Sequence, residues 1–268
     1  MPSIDTGDPR LDQARFWAVY SKLAQIQLGT LCNAYDYHSI KRLIEVEGDD
    51  VSARTDDPLA ERIVAGIKAL PSKVRVGNSE TMIIDPPASL AALFQVHPLA
   101  RDLKPKLFVG FDLQDANAAV CGMLSACTFE RDQALSTSRF TQAYCTAHGL
   151  PRLDANWMFV DVVASSKPGT GALLLLGAIV AAARAKKTGV CSIAVTRGGR
   201  RLFSAFGFST DHSWREDKAQ RNLCHIRLKD VHLGELHARL RVHDALLADV
   251  CFRNGLTAQS APNLIKRC

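Results

Sequence analysis

The middle of the chain alternates short apolar runs with polar segments. Residues 157–164 (WMFVDVVA) are valine-rich and too few for a typical helix, which predicts a strand buried on both faces. A polar bend follows at 165–171, and residues 172–187 then form an apolar helix with cations only in its last turns. A second apolar run at 190–195 predicts another strand, and a short segment at 200–208 follows it.

The bend combines one proline with two glycines. Pro168 fixes one backbone angle, whereas Gly169 and Gly171 allow positive φ values and a close approach by a ligand. The first amides of the next helix lack intrahelical acceptors and converge on one spot, which favours a diphosphate over a single carboxylate. These amides belong to Gly169, Thr170, Gly171, Ala172 and Leu173. The bend lacks the Lys-Ser/Thr pair of a Walker loop and the third glycine of a dinucleotide turn.

This order of strand, glycine bend, helix, strand and short helix ending in Gly207-Phe208 resembles the GCN5-related N-acetyltransferase (GNAT) superfamily. In that family an R/Q-x-x-G-x-G/A bend holds the pyrophosphate of acetyl-CoA. Here the bend is Ser166-Lys167-Pro168-Gly169-Thr170-Gly171. The resemblance covers roughly half of the chain. It implies an α/β fold with a mixed, mostly antiparallel sheet flanked by helices and splayed at the central strand.

The resemblance also implies a set of cofactor-binding residues. The backbone of Val162 and Val163 would hold the pantetheine arm. The pyrophosphate would lie on the bend, and Arg197 at the start of the short helix is within reach of the phosphates or belongs to a solvated basic turn. The residues expected to bind acetyl-CoA are Val162, Val163, Lys167, Gly169, Thr170, Gly171, Ala172, Arg197 and Phe203.

Two positions depart from the family pattern. Ser166 stands where the family has Arg or Gln, and Lys167 comes one place late. Phe203 stands where the family often has a tyrosine that protonates the departing thiolate, and phenylalanine has no proton to give. Another group or solvent must then act as the acid, or transferase chemistry has been lost.

Asp161 is the candidate catalytic residue, because it interrupts an otherwise apolar strand. Burial raises the pKa of a carboxyl group toward the range that a general base requires. The alternative is a structural aspartate bonded to backbone or to an arginine. His148 and Asp154 are second choices for proton transfer, and Cys191 belongs to a buried strand and is interpreted as core.

These residues lead to three functional hypotheses. The first is an N-acetyltransferase in which an amine attacks acetyl-CoA directly. The second is a catalytically inactive GNAT-derived binding or assembly module, and the third is a transferase that uses another acyl donor. The sequence has no signature that identifies the amine acceptor.

Three regions are expected along the chain. Residues 1–78 are predicted to form a helical extension that packs or dimerises, residues 79–230 a GNAT-like domain, and residues 231–268 a helix and tail. Predicted helices cover 11–31, 39–46, 58–70, 87–96 and 233–253. Predicted strands cover 81–84, 106–112, 118–129, 209–214 and 223–228, and an insertion at 130–155 carries a predicted helix at 137–148.

The amino-acid composition excludes few classes of protein. The net charge of +6 suits an anionic ligand such as CoA but gives no strong signal for nucleic acid. Eight cysteines without a C-x-x-C pair predict reduced thiols and a cytoplasmic protein, and no apolar run reaches the ~20 residues that cross a bilayer. His232, His237 and His243 are spaced by five and six residues, so no metal site is predicted.

Overall fold

A seven-stranded sheet forms the centre of the protein. The computed structural model describes residues 9–54, 56–71, 73–76, 79–82, 85–95, 104–128, 156–216, 219–231 and 234–256. The strands are β1 (Thr30–Asp36), β2 (Ile44–Glu47), β3 (Asp50–Ala53), β4 (Lys73–Val76), β5 (Ser79–Met82), β6 (Lys106–Asp112), β7 (Val120–Thr128), β8 (Trp157–Ser165), β9 (Gly189–Ala194), β10 (Ser209–Glu216) and β11 (Ala219–Arg227). The helices are α1 (Pro9–Leu28), α2 (Tyr37–Leu43), α3 (Pro58–Ala69), α4 (Pro86–Gln95), α5 (Thr170–Arg184), α6 (Arg197–Ala205), α7 (Gly234–Leu240) and α8 (Asp244–Arg253).

The order of strands across the sheet is β1-β6-β7-β8-β9-β11-β10. Among the strands that the structure describes in this sheet, β8 and β9 alone pair in parallel, and the other neighbours are antiparallel. The parallel pair is connected through α5, as a crossover between parallel strands requires. The predicted α/β class, with a mixed, mostly antiparallel sheet flanked by helices, is confirmed.

Helix α5 is the centre of one of the two hydrophobic layers. It is apolar on nearly all sides, and most of its residues are buried between the sheet and α1. Phe16, Trp17 and Tyr20 of α1 are at most 4% exposed and stack edge to face or tilted within this layer. Each buried aromatic side chain stabilises the fold by about 2–3 kcal/mol. The opposite face of the sheet carries a second cluster, to which α3 and α4 contribute.

The first part of the chain is not purely helical as predicted. Gly29, at φ +57°, ends α1 three residues early, and β1 then pairs with β6 along its whole length. The predicted helix at 39–46 is instead α2 followed by β2, which pairs with β3. Tertiary pairing overrides local propensity here. The predicted boundary at residue 79 thus lies between strands of one sheet, and the division into 1–78, 79–230 and 231–268 remains a prediction.

The last part of the chain also differs from its prediction. The helix expected at 233–253 is two helices, α7 and α8, because Arg241 adopts φ +54° between them. The closing hairpin of β10 and β11 is confirmed and extends further than predicted. The predicted insertion helix at 137–148, with His148 and Asp154, and the tail beyond residue 256 lie outside the described residues.

Candidate ligand-binding cleft

A fork in the sheet opens between β8 and β9. Their parallel pairing runs only from Trp157–Gly189 to Val160–Ser192, so β8 continues toward the bend without a partner in β9. The Ser192 hydroxyl donates to the Val160 carbonyl at 2.8 Å and holds the last pair closed. Beyond it, Val162 and Val163 lie on the free edge of β8, where the pantetheine arm was predicted to bind.

Asp161 lies at the start of the fork. In the pairing of β8 with β7, Ser125 is opposite Val162 and Ala126 is opposite Val160, which leaves Asp161 as the extra residue of a β-bulge. A bulge bends the strand and increases its twist, so it directs β8 away from β9. Asp161 is half-buried. Burial, and then the Asp161 charge, raise the pKa of the Cys127 thiol well above its ordinary value, so the carboxylate lies near β7.

The bend presents fewer amides than the sequence suggests. Gly169 adopts φ +84° as the N-cap of α5, and no side chain caps the helix. The Thr170 amide donates to the Lys167 carbonyl at 3.2 Å, and the Leu173 amide donates to the Gly169 carbonyl at 3.0 Å. The amides of Gly169, Gly171 and Ala172 have no acceptor within the described part of the chain. These three groups remain for an anion.

The Thr170 side chain does not face a ligand. It is fully buried, and its methyl group packs over Gly110 and Gly122, where added Cβ atoms would lie 2.9 Å and 2.8 Å from it. Its hydroxyl contacts the Cys121 thiol at 3.6 Å, and burial raises the pKa of that thiol. Gly110 and Gly122, which are paired across β6 and β7, therefore let the start of α5 approach the sheet closely. Thr170 thus packs the bend against β6 and β7 of the sheet.

Lys167 is also occupied elsewhere. Its ammonium group forms an ion pair with Asp112 at 2.7 Å and lies 3.5 Å from the Gly29 carbonyl. The hydrogen bond from Lys167, followed by one from the Gln114 amide, lowers the pKa of the Asp112 carboxyl group. The lysine thus ties the bend to the ends of β6 and α1. Lys167 therefore has protein partners in this structure, and its predicted contact with the pyrophosphate stays a prediction.

Gly171 lines the fork at its mouth. A Cβ atom at this position would lie 3.3 Å from Ser165 Oγ and 3.8 Å from both Val163 Cγ1 and Leu202 Cδ2. Ser165 and Leu202 were missed by the sequence analysis, because a lone serine and leucine carry no signal of their own. Ser165 and Val163 of β8 and Leu202 of α6 therefore surround Gly171, next to the three amides of the bend.

Phe203, whose expected contact with the cofactor stays a prediction, lies in the hydrophobic core. It is 3% exposed, and its ring centroid lies 5.0 Å from that of Phe208. Phe203 and Phe208 belong to the same hydrophobic cluster as the buried residues of α5. Phe203 therefore has a packing role in this structure.

A cavity of about 470 Å³ opens beside α6. It is lined by Arg197, Arg200, Arg201, Ser204 and Arg239. Arg239, on α7, was not singled out from the sequence. Its main-chain oxygen lies 3.7 Å from where a Cβ of Gly169 would be, so this wall of the cavity adjoins the bend.

The remaining candidate groups do not add a second site. Among the described residues, no cluster of three or more His, Cys, Asp or Glu side chains could hold a metal ion. His237 Nδ1 lies 3.2 Å from the Val242 carbonyl and 3.5 Å from the Tyr20 hydroxyl, whereas His232 is outside the described ranges. The six described cysteines form no disulfide with one another, and Cys191 is buried in β9 as predicted. No helix in these ranges is long and apolar enough to span a membrane.

Comparisons with known proteins give structural similarity alone. No family model and no curated protein matches the sequence. Among solved structures, the acyl-homoserine lactone synthase LasI aligns at 10% identity over 80% of this chain and 98% of its own, with a TM-score of 0.44. The NatC complex bound to Gag peptide and CoA aligns at 12% identity over 74% and 98%, with a TM-score of 0.41. Nourseothricin acetyltransferase aligns at 10% identity over 75% and 99%, with a TM-score of 0.38. Because these TM-scores lie below 0.5, they carry no weight for the activity of this chain.

Proposed function

We propose that this chain is an N-acetyltransferase that moves the acetyl group of acetyl-CoA to an amine by direct attack. The observation that carries the proposal is the fork between β8 and β9, which ends at three unpaired amides on the bend. An extended thioester arm can add to the free edge of β8, while its diphosphate accepts hydrogen bonds from the amides of Gly169, Gly171 and Ala172. The same arrangement suits other acyl-CoA thioesters.

The chemistry follows from the position of the fork. The amine nitrogen attacks the thioester carbonyl carbon, the carbon–sulfur bond breaks, and the sulfur leaves as a thiolate. The amine must lose a proton in this step, and Asp161, at the bulge where the fork opens, is the carboxylate in position to accept it directly or through water. Phe203 is buried and has no proton to donate, so solvent protonates the thiolate.

Calorimetric titration of the full chain with acetyl-CoA tests the proposal. We expect one binding site per chain and much weaker binding of acetyl-pantetheine, which lacks the diphosphate. Mass spectrometry of a panel of amines incubated with the chain and acetyl-CoA then identifies the acceptor by its added acetyl group. If neither acetyl-CoA nor CoA binds, the proposed function is wrong.

The buried position of Phe203 also favours a second candidate, a binding module that holds CoA without turnover. The two candidates differ in one measurement. A module binds acetyl-CoA with the same stoichiometry, but it releases no free thiol above the uncatalysed rate with any amine in the panel.

A further inference from the structure

The arginine cavity beside α6 is an unusual concentration of charge. Arg197, Arg200 and Arg201 come from one helix, and Arg239 comes from α7. Arg200 donates to the Val195 carbonyl at 3.0 Å, which fixes its guanidinium group at the end of β9. No carboxylate pairs with any of the four arginines within the described ranges. Like charges gathered in this way repel each other until an anion joins them.

The local backbone makes this concentration less favourable still. Arg197 is the first residue of α6 and Arg200 follows one turn later, where the helix dipole disfavours cations. The first turn of α6 contains no acidic residue that would offset them. Both features favour an anion as the ligand, because planar guanidinium groups bind phosphate oxygens in pairs.

The position of the cavity narrows the choice of an anion that would fit it. Its Arg239 wall adjoins Gly169, and Gly169 belongs to the bend that carries the diphosphate in the proposed function. In CoA, the group bonded to that diphosphate is a ribose whose 3′-hydroxyl bears a phosphate monoester. A monoester carries close to two negative charges near pH 7. A carrier-protein pantetheine arm has one phosphate diester and no ribose phosphate.

We propose that the four-arginine cavity binds the 3′-phosphate of CoA and selects free CoA thioesters over donors that lack this group. The proposal rests on the proposed function, because the diphosphate must lie on the bend for the ribose to reach the cavity. It assigns Arg239 as a specificity-determining residue. It also favours free acyl-CoA over a carrier-bound acyl group as the donor.

Titration of the full chain with CoA and with 3′-dephospho-CoA tests the inference. We expect dephospho-CoA to bind at least about tenfold more weakly, since one charge-assisted contact accounts for a factor of that order. Arg239→Gln should lower the affinity for CoA about tenfold and leave the affinity for dephospho-CoA unchanged. Arg184→Gln is the matched control, because Arg184 is exposed at the far end of α5, about 20 Å from the bend.

The outcomes separate this inference from the proposed function. Equal binding of the two ligands by the native chain would overturn the inference and leave the proposed function intact. If Arg239→Gln lowers the affinity for CoA and for dephospho-CoA equally, the inference is also overturned. The arginine would then act on the diphosphate or on the fold. If neither ligand binds the native chain, the proposed function itself fails. Thermal melting of both variants shows whether either change has unfolded the chain.

Discussion

The two glycines of the bend have different roles, and substitution separates them. Gly171 has an ordinary helical backbone, and an added methyl group meets one neighbour at 3.3 Å and two at 3.8 Å. Alanine is more favourable than glycine in a helix by about 1 kcal/mol, and the contact with Ser165 offsets part of that gain. Gly171→Ala should therefore change the free energy of unfolding by about 0–1 kcal/mol in the stabilising direction.

Gly169 is sterically constrained instead. Its φ of +84° is one that side chains rarely adopt, and an added Cβ would approach Leu28 Cδ2 at 3.0 Å. The left-handed conformation costs about 1–2 kcal/mol for a non-glycine residue. For a chain of this length, such a loss lowers the melting temperature by about 2–8 °C. Gly169→Ala is thus the stability variant of the pair.

Substitution of Gly171, which has little effect on stability, should have a large effect on ligand binding. A longer side chain at Gly171 starts beside Val163 and Leu202, where the proposed function puts the thioester arm. We expect Gly171→Leu to melt like the native chain and to lose at least about 100-fold in affinity for acetyl-CoA, or about 3 kcal/mol. Calorimetric titration and thermal melting measure the two effects separately. A Gly171→Leu chain that is fully folded and binds acetyl-CoA normally would refute the location of the ligand in this cleft.

Three further predictions concern single side chains. Asp161→Asn should slow acetyl transfer to the best acceptor about 100- to 1,000-fold while acetyl-CoA still binds, because the proton acceptor is lost; an unchanged rate in a single-turnover assay would remove Asp161 from the mechanism. Phe203→Tyr should lower the free energy of unfolding by about 1–3 kcal/mol through a buried hydroxyl without a partner, and thiol release should not speed up; a faster enzyme of native stability would contradict the buried position. Lys167→Met should lower the melting temperature at pH 7, where Asp112 is ionised. Because the pKa of Asp112 is lowered in the folded chain, the ion pair stabilises it above the ordinary aspartate value of 3.8, and this stabilisation is lost as pH falls through the lowered value. The two melting curves should therefore converge in acid, and a difference that does not depend on pH would contradict this assignment.

The sequence pattern alone predicted the elements that consist almost entirely of apolar residues. The apolar runs that became β8, α5 and β9 were placed to within two or three residues, and the bend between β8 and α5 was placed correctly. Pro58 after Asp57 marked the start of α3, because the Asp57 carboxylate accepts from the Leu59 amide. Such signals lie within a few residues of one another and can be read without knowing the fold.

The errors came from contacts between distant parts of the chain. The polar segment TLCNAYD of β1 is a strand because β6 pairs with it, and nothing in its own alternation indicates that partner. The ion pair between Lys167 and Asp112 was not foreseen, because the two residues are 55 positions apart in the chain. Arg239 was missed because the turn at Arg241, which divides α7 from α8, is not marked by a glycine or a proline.

The contact between the end of α1 and the bend has a consequence for how the chain folds during its synthesis. Gly29 and Lys167 are 138 positions apart, yet the lysine ammonium group reaches the glycine carbonyl, and Leu28 lies over Gly169. A contact across so long a loop forms late, because closing the loop costs entropy before the contact can stabilise it. During translation, the first helix therefore leaves the ribosome well before the segment that it supports. The bend can gain the support of α1 only after both ends of this contact have been synthesised.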